Sequence, residues 1–192
     1  LTLWFVGSAC WLVGTRNEGA AALGVVGLPV ADFAIWSAGL TAAGMAIILI
    51  FRWLAGRVGA HDPELLRELL PRTRSERQAF GVLSVAAGVC EELAYRGYAI
   101  PVLGGVVGVP AAAVVTSGVF GLLHGYQGWL GICRTALMGG VLAYGFLASG
   151  SLWPPIVAHT AIDVLAGIVL GERLLSPPGD RGVRHSDPQT SI

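Results

Sequence analysis

The stretch FGVLSVAAGVCEELAYRGY, residues 80–98, joins a long apolar run to three charged side chains. Glu91, Glu92 and Arg96 stand near the end of a segment that is otherwise suited to lipid. A charged side chain near the centre of a membrane helix costs about 2.5 to 3.5 kcal/mol on insertion scales, so such groups are candidates for function. The segment therefore raises two questions: whether the chain crosses a membrane, and what its charges do there.

The composition is that of a membrane protein. Of 192 residues, 54% are hydrophobic and 12% are charged, and the mean hydropathy is +0.69, whereas a soluble domain is about one quarter charged. The 12 basic side chains, all arginine, balance 12 acidic ones, so no excess of positive charge indicates a nucleic-acid partner. The expected surroundings are membrane lipid.

Apolar blocks of roughly 20 residues, the length that spans a bilayer, predict about six transmembrane helices. The blocks cover residues 1–14, 33–54, 78–100, 110–124, 129–149 and 153–171. Pro101, with the glycines after it, is expected to end the third helix, while Pro110 and Pro154 suit the first turns of later helices. The predicted fold is an all-α polytopic membrane protein with a polar active site inside the helix bundle.

The loop 55–77 holds five arginines, and the positive-inside rule predicts that it is cytoplasmic. The sequence ELLREL within it predicts a surface helix. Residues 1–175 are expected to form one transmembrane domain, and the tail 176–192 a disordered cytoplasmic segment. Arginine-only cations with abundant Ala, Gly and Val favour a bacterial plasma membrane. Residues 19–31 are too short and glycine-rich for a span, so we expect them to lie at the membrane interface or to re-enter.

Helical spacing relates the charged residues to one another. Glu92 and Arg96 fall one turn apart and can neutralise each other, whereas Glu91 points about 100° away from Glu92. His159 and Asp163 also share a helix face, so the carboxylate can accept a proton from one ring nitrogen. Burying these ionisable side chains on apolar helices without a shared polar site would cost on the order of several kcal/mol. We therefore expect them to converge.

Three motifs follow one another on successive apolar blocks: E-E-x-x-x-R, F-x-x-x-H from Phe120 to His124, and H-x-x-x-D. In this order they resemble the CPBP family, which includes CAAX prenyl endopeptidases and bacteriocin-processing or immunity (ABI) membrane proteins. The resemblance covers residues 78–171. It implies an intramembrane peptidase that cuts a peptide or membrane-protein substrate with water activated by Glu91. The site residues that it implies are Glu91, Glu92, Arg96, His124, His159 and Asp163.

Asp163 departs from the Asn that eukaryotic members of the family carry at this position. An ionised Asp cannot donate a hydrogen bond to the oxyanion of a tetrahedral intermediate. Asp163 could instead orient His159 as the donor. Alternatively, the side chains that could bind Zn²⁺, with water in the open position, are Glu91, His124, His159 and Asp163. Metal-dependent and metal-free mechanisms both stay open at this point.

Two other functions are compatible with these residues. A transporter or proton relay would also place Glu, His and Asp inside helices, and a family member without protease activity could serve as an immunity or scaffolding protein. The peptidase interpretation requires that Glu91 and His124 lie at the same depth in the membrane. Glu91 lies roughly 20 Å along its helix, while His124 ends a helix that returns to the starting side. Tilted helices or different helix ends must bring the two to one level.

Overall fold

The structure, a computed structural model, describes residues 2–16, 19–61 and 63–175. All regular secondary structure in these ranges is helical, which confirms the all-α fold class. The α-helices are α1 (Thr2–Gly14), α2 (Val30–Val58), α3 (Glu64–Leu69), α4 (Arg74–Glu92), α5 (Ile100–Val107), α6 (Val109–Leu123), α7 (Gly128–Ser149), α8 (Trp153–Val164) and α9 (Gly171–Leu175). The predicted disordered tail from residue 176 onward lies outside the described residues.

Three helical segments in the described ranges are long and apolar enough to cross a bilayer: Val30–Val58, Gly125–Ser149 and Trp153–Leu170. Two shorter apolar helices, Leu3–Gly14 and Val109–Leu123, accompany them. Large apolar side chains cover the outside of the bundle, as Phe5 and Val106 illustrate with exposed fractions of 76% and 82%. Such an exterior suits lipid and fits an integral membrane protein. The count of six spans stays a prediction.

The helix that carries the acidic motif is longer than the sequence indicated. After α4 the chain widens into a π-helical segment, Leu93–Ala99, and then continues as α5 to Val107. The prediction that Pro101 helps to end this helix is wrong. In the wider turn the Ile100 N–H bonds to the Tyr95 carbonyl five residues back, so the helix accommodates the proline that follows without a break. The helix ends at Gly108, whose φ of 85° favours glycine.

Other boundaries follow the sequence. Pro110 and Pro154 lie in the first turns of α6 and α8, as predicted. The surface helix predicted from ELLREL is α3, which has no buried residue. A capping box begins α4: Thr73 accepts from the Glu76 N–H, and the Arg72 and Thr73 N–H groups donate to the Glu76 carboxylate, which lowers its pKa.

Glycines bring the central helices close together. A Cβ on Gly88 of α4 would lie 3.0 Å from the Ile156 carbonyl oxygen of α8 and would also meet the Thr160 hydroxyl. On α6, a Cβ on Gly121 would lie 2.6 Å from the Ile132 carbonyl oxygen of α7. Membrane helices pack closely where small residues let their backbones approach. The close contact of α4 with α8 is what brings the acidic motif to the H-x-x-x-D motif.

Of residues 19–31, which were not expected to span the membrane, residues 30 and 31 begin α2, and residues 19–29 form no helix long enough to cross a bilayer. A 3₁₀ turn, Ala20–Leu23, is followed by irregular chain up to α2. The Gly24 carbonyl accepts from the Leu152 N–H at 2.7 Å, and the Val26 carbonyl accepts from the Ser151 hydroxyl at 2.6 Å. The segment therefore packs on the turn between α7 and α8.

Candidate active site

Glu92 and Arg96 form a buried ion pair, as their spacing predicted. Arg96 Nη1 donates to Glu92 Oε1 at 2.7 Å, and the exposed fractions of the two residues are 1% and 0%. Arg96 Nη2 also donates to the Gly139 carbonyl at 3.0 Å, and its guanidinium carbon lies 4.9 Å from the ring centroid of Phe120. These contacts tie the π-helical segment to α6 and α7.

The same Glu92 oxygen also binds His159. The distance from His159 Nδ1 to Glu92 Oε1 is 2.8 Å, and because a carboxylate only accepts, Nδ1 carries the proton. One of the two roles considered for Asp163 was to orient His159, but the hydrogen bond that His159 makes is to Glu92. Asp163 Oδ2 lies 3.7 Å from the other nitrogen, Nε2, which is beyond hydrogen-bond length. Glu92, Arg96 and His159 are called the buried cluster below.

Glu91 faces the second nitrogen of the same His159 ring. Its Oε2 is 3.7 Å from His159 Nε2, the nitrogen that also faces Asp163. Two carboxylate oxygens thus lie near one ring nitrogen, and both can only accept hydrogen bonds. A proton on Nε2, or a water molecule at about 2.8 Å from these atoms, would satisfy that geometry. The two glutamates, which helix geometry predicted to point in different directions, thus lie next to different nitrogens of the His159 ring.

His124 comes from a third helix and stands directly after the last residue of α6. Its Nδ1 lies 2.8 Å from the Phe120 carbonyl, so Nδ1 donates and Nε2 is left for a ligand. The ring centroid of Phe120 lies 4.7 Å from that of His124 and 6.0 Å from that of His159. Phe120 therefore packs against both imidazoles and fixes their spacing.

The depth condition is met by the true helix ends. From position 91 to Gly108 is 17 residues, and from Gly108 to position 124 is 16 residues. At roughly 1.5 Å per residue, the two arms of this hairpin place Glu91 and His124 at about the same height. The contact between the rings of Tyr95 and Phe120, with centroids 5.0 Å apart, supports the antiparallel register.

Four of the six predicted site residues open onto one cavity of about 800 Å³. Its lining includes Glu91, His124, His159 and Asp163. Among the described residues, Glu92 and Arg96 do not line it. The six predicted residues thus divide into four that face the cavity and two that lie behind His159.

The four predicted metal ligands do not form a ready-made metal site in the described part of the chain. In the described part of the chain, no group of three or more His, Cys, Asp or Glu side chains could hold a metal ion. His159 Nε2 is 3.7 Å from each of the two carboxylates, and the rings of His124 and His159 both pack against Phe120. Zinc binding stays a prediction.

Sequence analysis missed a second group of polar residues at the cavity. Tyr126, Gln127 and Arg134 also line it and are called the rim cluster below. Arg134 Nη2 donates to Gln127 Oε1 at 2.7 Å, and Gln127 Nε2 donates to the Tyr126 hydroxyl at 3.1 Å. Tyr126 and Gln127 lie in a 3₁₀ turn, Gly125–Gln127, where no helical spacing relates them to His124. Their place directly after the F-x-x-x-H motif was the available signal.

Comparison with known proteins supports the resemblance drawn from the motifs. Residues 75–165, just under half of the chain, match the family described as Type II CAAX prenyl endopeptidase Rce1-like. The match supports the resemblance to the CPBP family of CAAX proteases over the segment that carries the motifs. At the level of the family, the match supports a membrane endopeptidase of the CAAX-protease type. Comparisons with curated proteins and with solved structures gave no match.

Proposed function

We propose that this chain is an intramembrane endopeptidase in which Glu91 activates the water that attacks a peptide carbonyl. The observation that carries the proposal is the 3.7 Å distance between Glu91 Oε2 and His159 Nε2, which come from different helices and face one cavity. A carboxylate beside an imidazole, enclosed by apolar helices, is suited to moving a proton to and from water. The family match supports the same class of reaction.

Glu91 would take a proton from the water as the water oxygen bonds to the carbonyl carbon. When the tetrahedral intermediate collapses, the carbon–nitrogen bond breaks and Glu91 returns the proton to the leaving amine. Charge on the carbonyl oxygen needs a hydrogen-bond donor, and Asp163 in its ionised form cannot be that donor. A protonated Nε2 of His159 or of His124 would supply it.

Glu92 would act behind the site by holding His159. Its Oε1 fixes the Nδ1 proton at 2.8 Å, so Nε2 is the nitrogen that faces Glu91. Arg96 would keep Glu92 ionised and in place through the contact at 2.7 Å. Both residues are therefore positioning residues in this proposal, because neither lines the cavity among the described residues.

The proposed setting is a bilayer crossed by about six helices of one domain, residues 1–175, with the active site inside the bundle. The arginine-rich loop 55–77 and the tail would lie in the cytoplasm of a bacterium. A prenylated CAAX peptide is the substrate probe that the family name suggests. Such a cell need not prenylate its own proteins, so other membrane peptides belong in the same screen.

The test is cleavage by purified protein in detergent. Wild type, Glu91→Gln and Glu68→Gln are incubated with a lipopeptide library that includes prenylated CAAX peptides, and products are identified by mass spectrometry. Glu91→Gln should lower the rate by about 10²- to 10⁴-fold, the usual contribution of a general base. Glu68→Gln is the control, because Glu68 is exposed on α3. Unchanged cleavage by Glu91→Gln would refute the assignment of the base.

The same samples test the other interpretations. Stoichiometric zinc lost from Glu91→Gln and His124→Ala would favour the metal-dependent mechanism. A wild type that cleaves no library member but carries protons across liposomes would be a transporter or relay. If it does neither, the chain is an inactive family member with an immunity or scaffolding role.

A further inference from the structure

The rim cluster is a chain of hydrogen bonds that the proposed reaction does not use. Tyr126, Gln127 and Arg134 line the same cavity as the candidate active site. The ring centroid of Tyr126 lies 5.8 Å from that of His124, and 42% of the tyrosine is exposed. The cluster therefore stands beside the proposed site, where a ligand in the cavity can reach it.

The direction of each hydrogen bond in the cluster is fixed by its partners. Arg134 has only donors, so the Gln127 atom at 2.7 Å from it must be the amide oxygen. The amide nitrogen then faces the Tyr126 hydroxyl at 3.1 Å, and since that nitrogen only donates, the hydroxyl oxygen accepts. The phenol proton is therefore not used within the cluster. It is left to donate to another acceptor.

Packing holds the central amide in this orientation. The Thr135 hydroxyl lies 3.4 Å from Gln127 Oε1, where it adds a second, weaker donor. Gly131, one turn into α7, is buried, and a Cβ there would overlap the Cβ of Gln127. The glutamine stem thus occupies space that only a glycine leaves open. Such a supported side chain loses little further freedom when a ligand binds.

We propose that Tyr126 is a substrate-binding residue whose phenol O–H donates a hydrogen bond to an oxygen of the peptide substrate. The proposal rests on the proposed peptidase function and adds to it a residue outside the three family motifs. Gln127 is the positioning residue that turns the phenol proton toward the cavity. Arg134 in turn fixes Gln127.

The expected acceptor is a carbonyl or carboxylate oxygen of the peptide. Glu91 and Asp163 as carboxylates can only accept, so they cannot bind such oxygens directly. A phenol beside His124 provides a neutral donor that does not compete with Glu91 for the catalytic proton. Backbone carbonyls and a free C-terminal carboxylate share this chemistry, and a matched pair of peptides separates them.

The test measures binding rather than turnover. In the Glu91→Gln background, the affinity of a fluorescein-labelled prenylated CAAX peptide is measured in detergent by fluorescence anisotropy. Adding Tyr126→Phe removes one hydroxyl and should weaken binding about three- to tenfold, the usual net value of one hydrogen bond. Tyr144→Phe is the matched control, because Tyr144 is exposed and lies outside the cavity lining. It should leave the affinity unchanged.

Gln127→Glu tests the direction of the hydrogen bond. A carboxylate there still accepts from Arg134, but it cannot donate to Tyr126, so the phenol turns its proton toward residue 127. Binding should weaken as much as in Tyr126→Phe although the hydroxyl is present. Combining the two substitutions should weaken binding no further, because both remove the same bond. Additive losses would show that Gln127 does not act through Tyr126.

The outcomes separate this inference from the proposed function. If Glu91→Gln abolishes cleavage while Tyr126→Phe binds and cleaves like wild type, the peptidase assignment stands and the tyrosine role is overturned. If the peptide binds none of the variants, the substrate-binding role is overturned as well. Equal losses for the acid and C-terminal amide forms assign the bond to a backbone carbonyl. A loss confined to the acid form assigns it to the terminal carboxylate.

Discussion

The buried cluster and the rim cluster have the same plan and different chemistry. In each, an arginine holds a middle side chain, and the middle side chain orients a ring at the cavity: Arg96, Glu92 and His159 in one, Arg134, Gln127 and Tyr126 in the other. The middle residue of the buried cluster is the carboxylate Glu92, whose exposed fraction is 0%. The middle residue of the rim cluster is the neutral amide Gln127, which is partly exposed.

The difference follows from what each environment tolerates. A guanidinium buried to 1% exposure requires a full counter-charge, because an unpaired buried charge is strongly destabilising. At the half-buried rim, the neutral amide of Gln127 is one partner of Arg134. The middle residue also decides what its ring offers: Glu92 accepts from His159 and leaves Nε2 toward Glu91, whereas Gln127 donates to Tyr126 and leaves a phenol proton. The burial of Arg96 requires a charged partner, and the hydrogen bond that each middle residue makes determines which group its ring presents to the cavity.

The largest effect is expected from breaking the buried cluster. Glu92→Leu leaves Arg96 buried without its carboxylate and should lower the free energy of unfolding by about 3 to 5 kcal/mol, measured by SDS titration in mixed micelles. The double variant Glu92→Leu/Arg96→Met removes both charges and should recover most of that loss. It should stay inactive, because His159 Nδ1 has no acceptor. Cleavage at the wild-type rate by the double variant would contradict the positioning role of Glu92.

A smaller effect is expected at His124, which lies between the two clusters. His124→Ala should lower the rate of cleavage by about 10²- to 10³-fold, the usual cost of losing one donor to a developing oxyanion. Stability should change little, because the side chain is half-buried at the end of α6. Glu68→Gln is again the control, because Glu68 is exposed on α3 and lies outside the cavity lining. Equal rates for the two variants would exclude His124 from the reaction.

The smallest effect is expected from the spacing of α4 and α8, which sets the distance between Glu91 and His159. Gly88→Ala should cost about 1 to 3 kcal/mol of unfolding free energy, because the added methyl meets the Ile156 carbonyl and Thr160. Gly81→Ala on the same helix meets only Ile168 Cδ1, at 3.9 Å, and should be neutral or stabilising. A stability loss for Gly81→Ala that matches Gly88→Ala would show that helix contact is not the cause.

Local sequence rules predicted what lies within one helix. The pair Glu92–Arg96, the different direction of Glu91 and the starts of α6 and α8 all follow from spacing and proline chemistry. The partner of His159 could not be predicted in this way. Glu92 lies 67 residues away in sequence, and only the close packing of α4 on α8 brings the two together.

Two further features depend on context that a linear pattern does not carry. Pro101 ordinarily breaks a helix, but the π-helical turn before it removes the usual clash, so the true helix end is Gly108. The rim cluster lies in a short turn without periodicity, and the donors that fix Gln127 come from the next helix. In both cases tertiary packing determines the outcome.

The lengths of the two helical arms that meet at Gly108 set the relative height of Glu91 and His124. One arm measures 17 residues to Glu91 and the other 16 to His124, so neither can change its length alone. Inserting a full helical turn into one arm would shift its catalytic group by about 5.4 Å past the other. Compensating insertions in both arms would lengthen the hairpin and keep the groups level. Evolution or design can therefore adapt this chain to a thicker bilayer only by extending the arms in register.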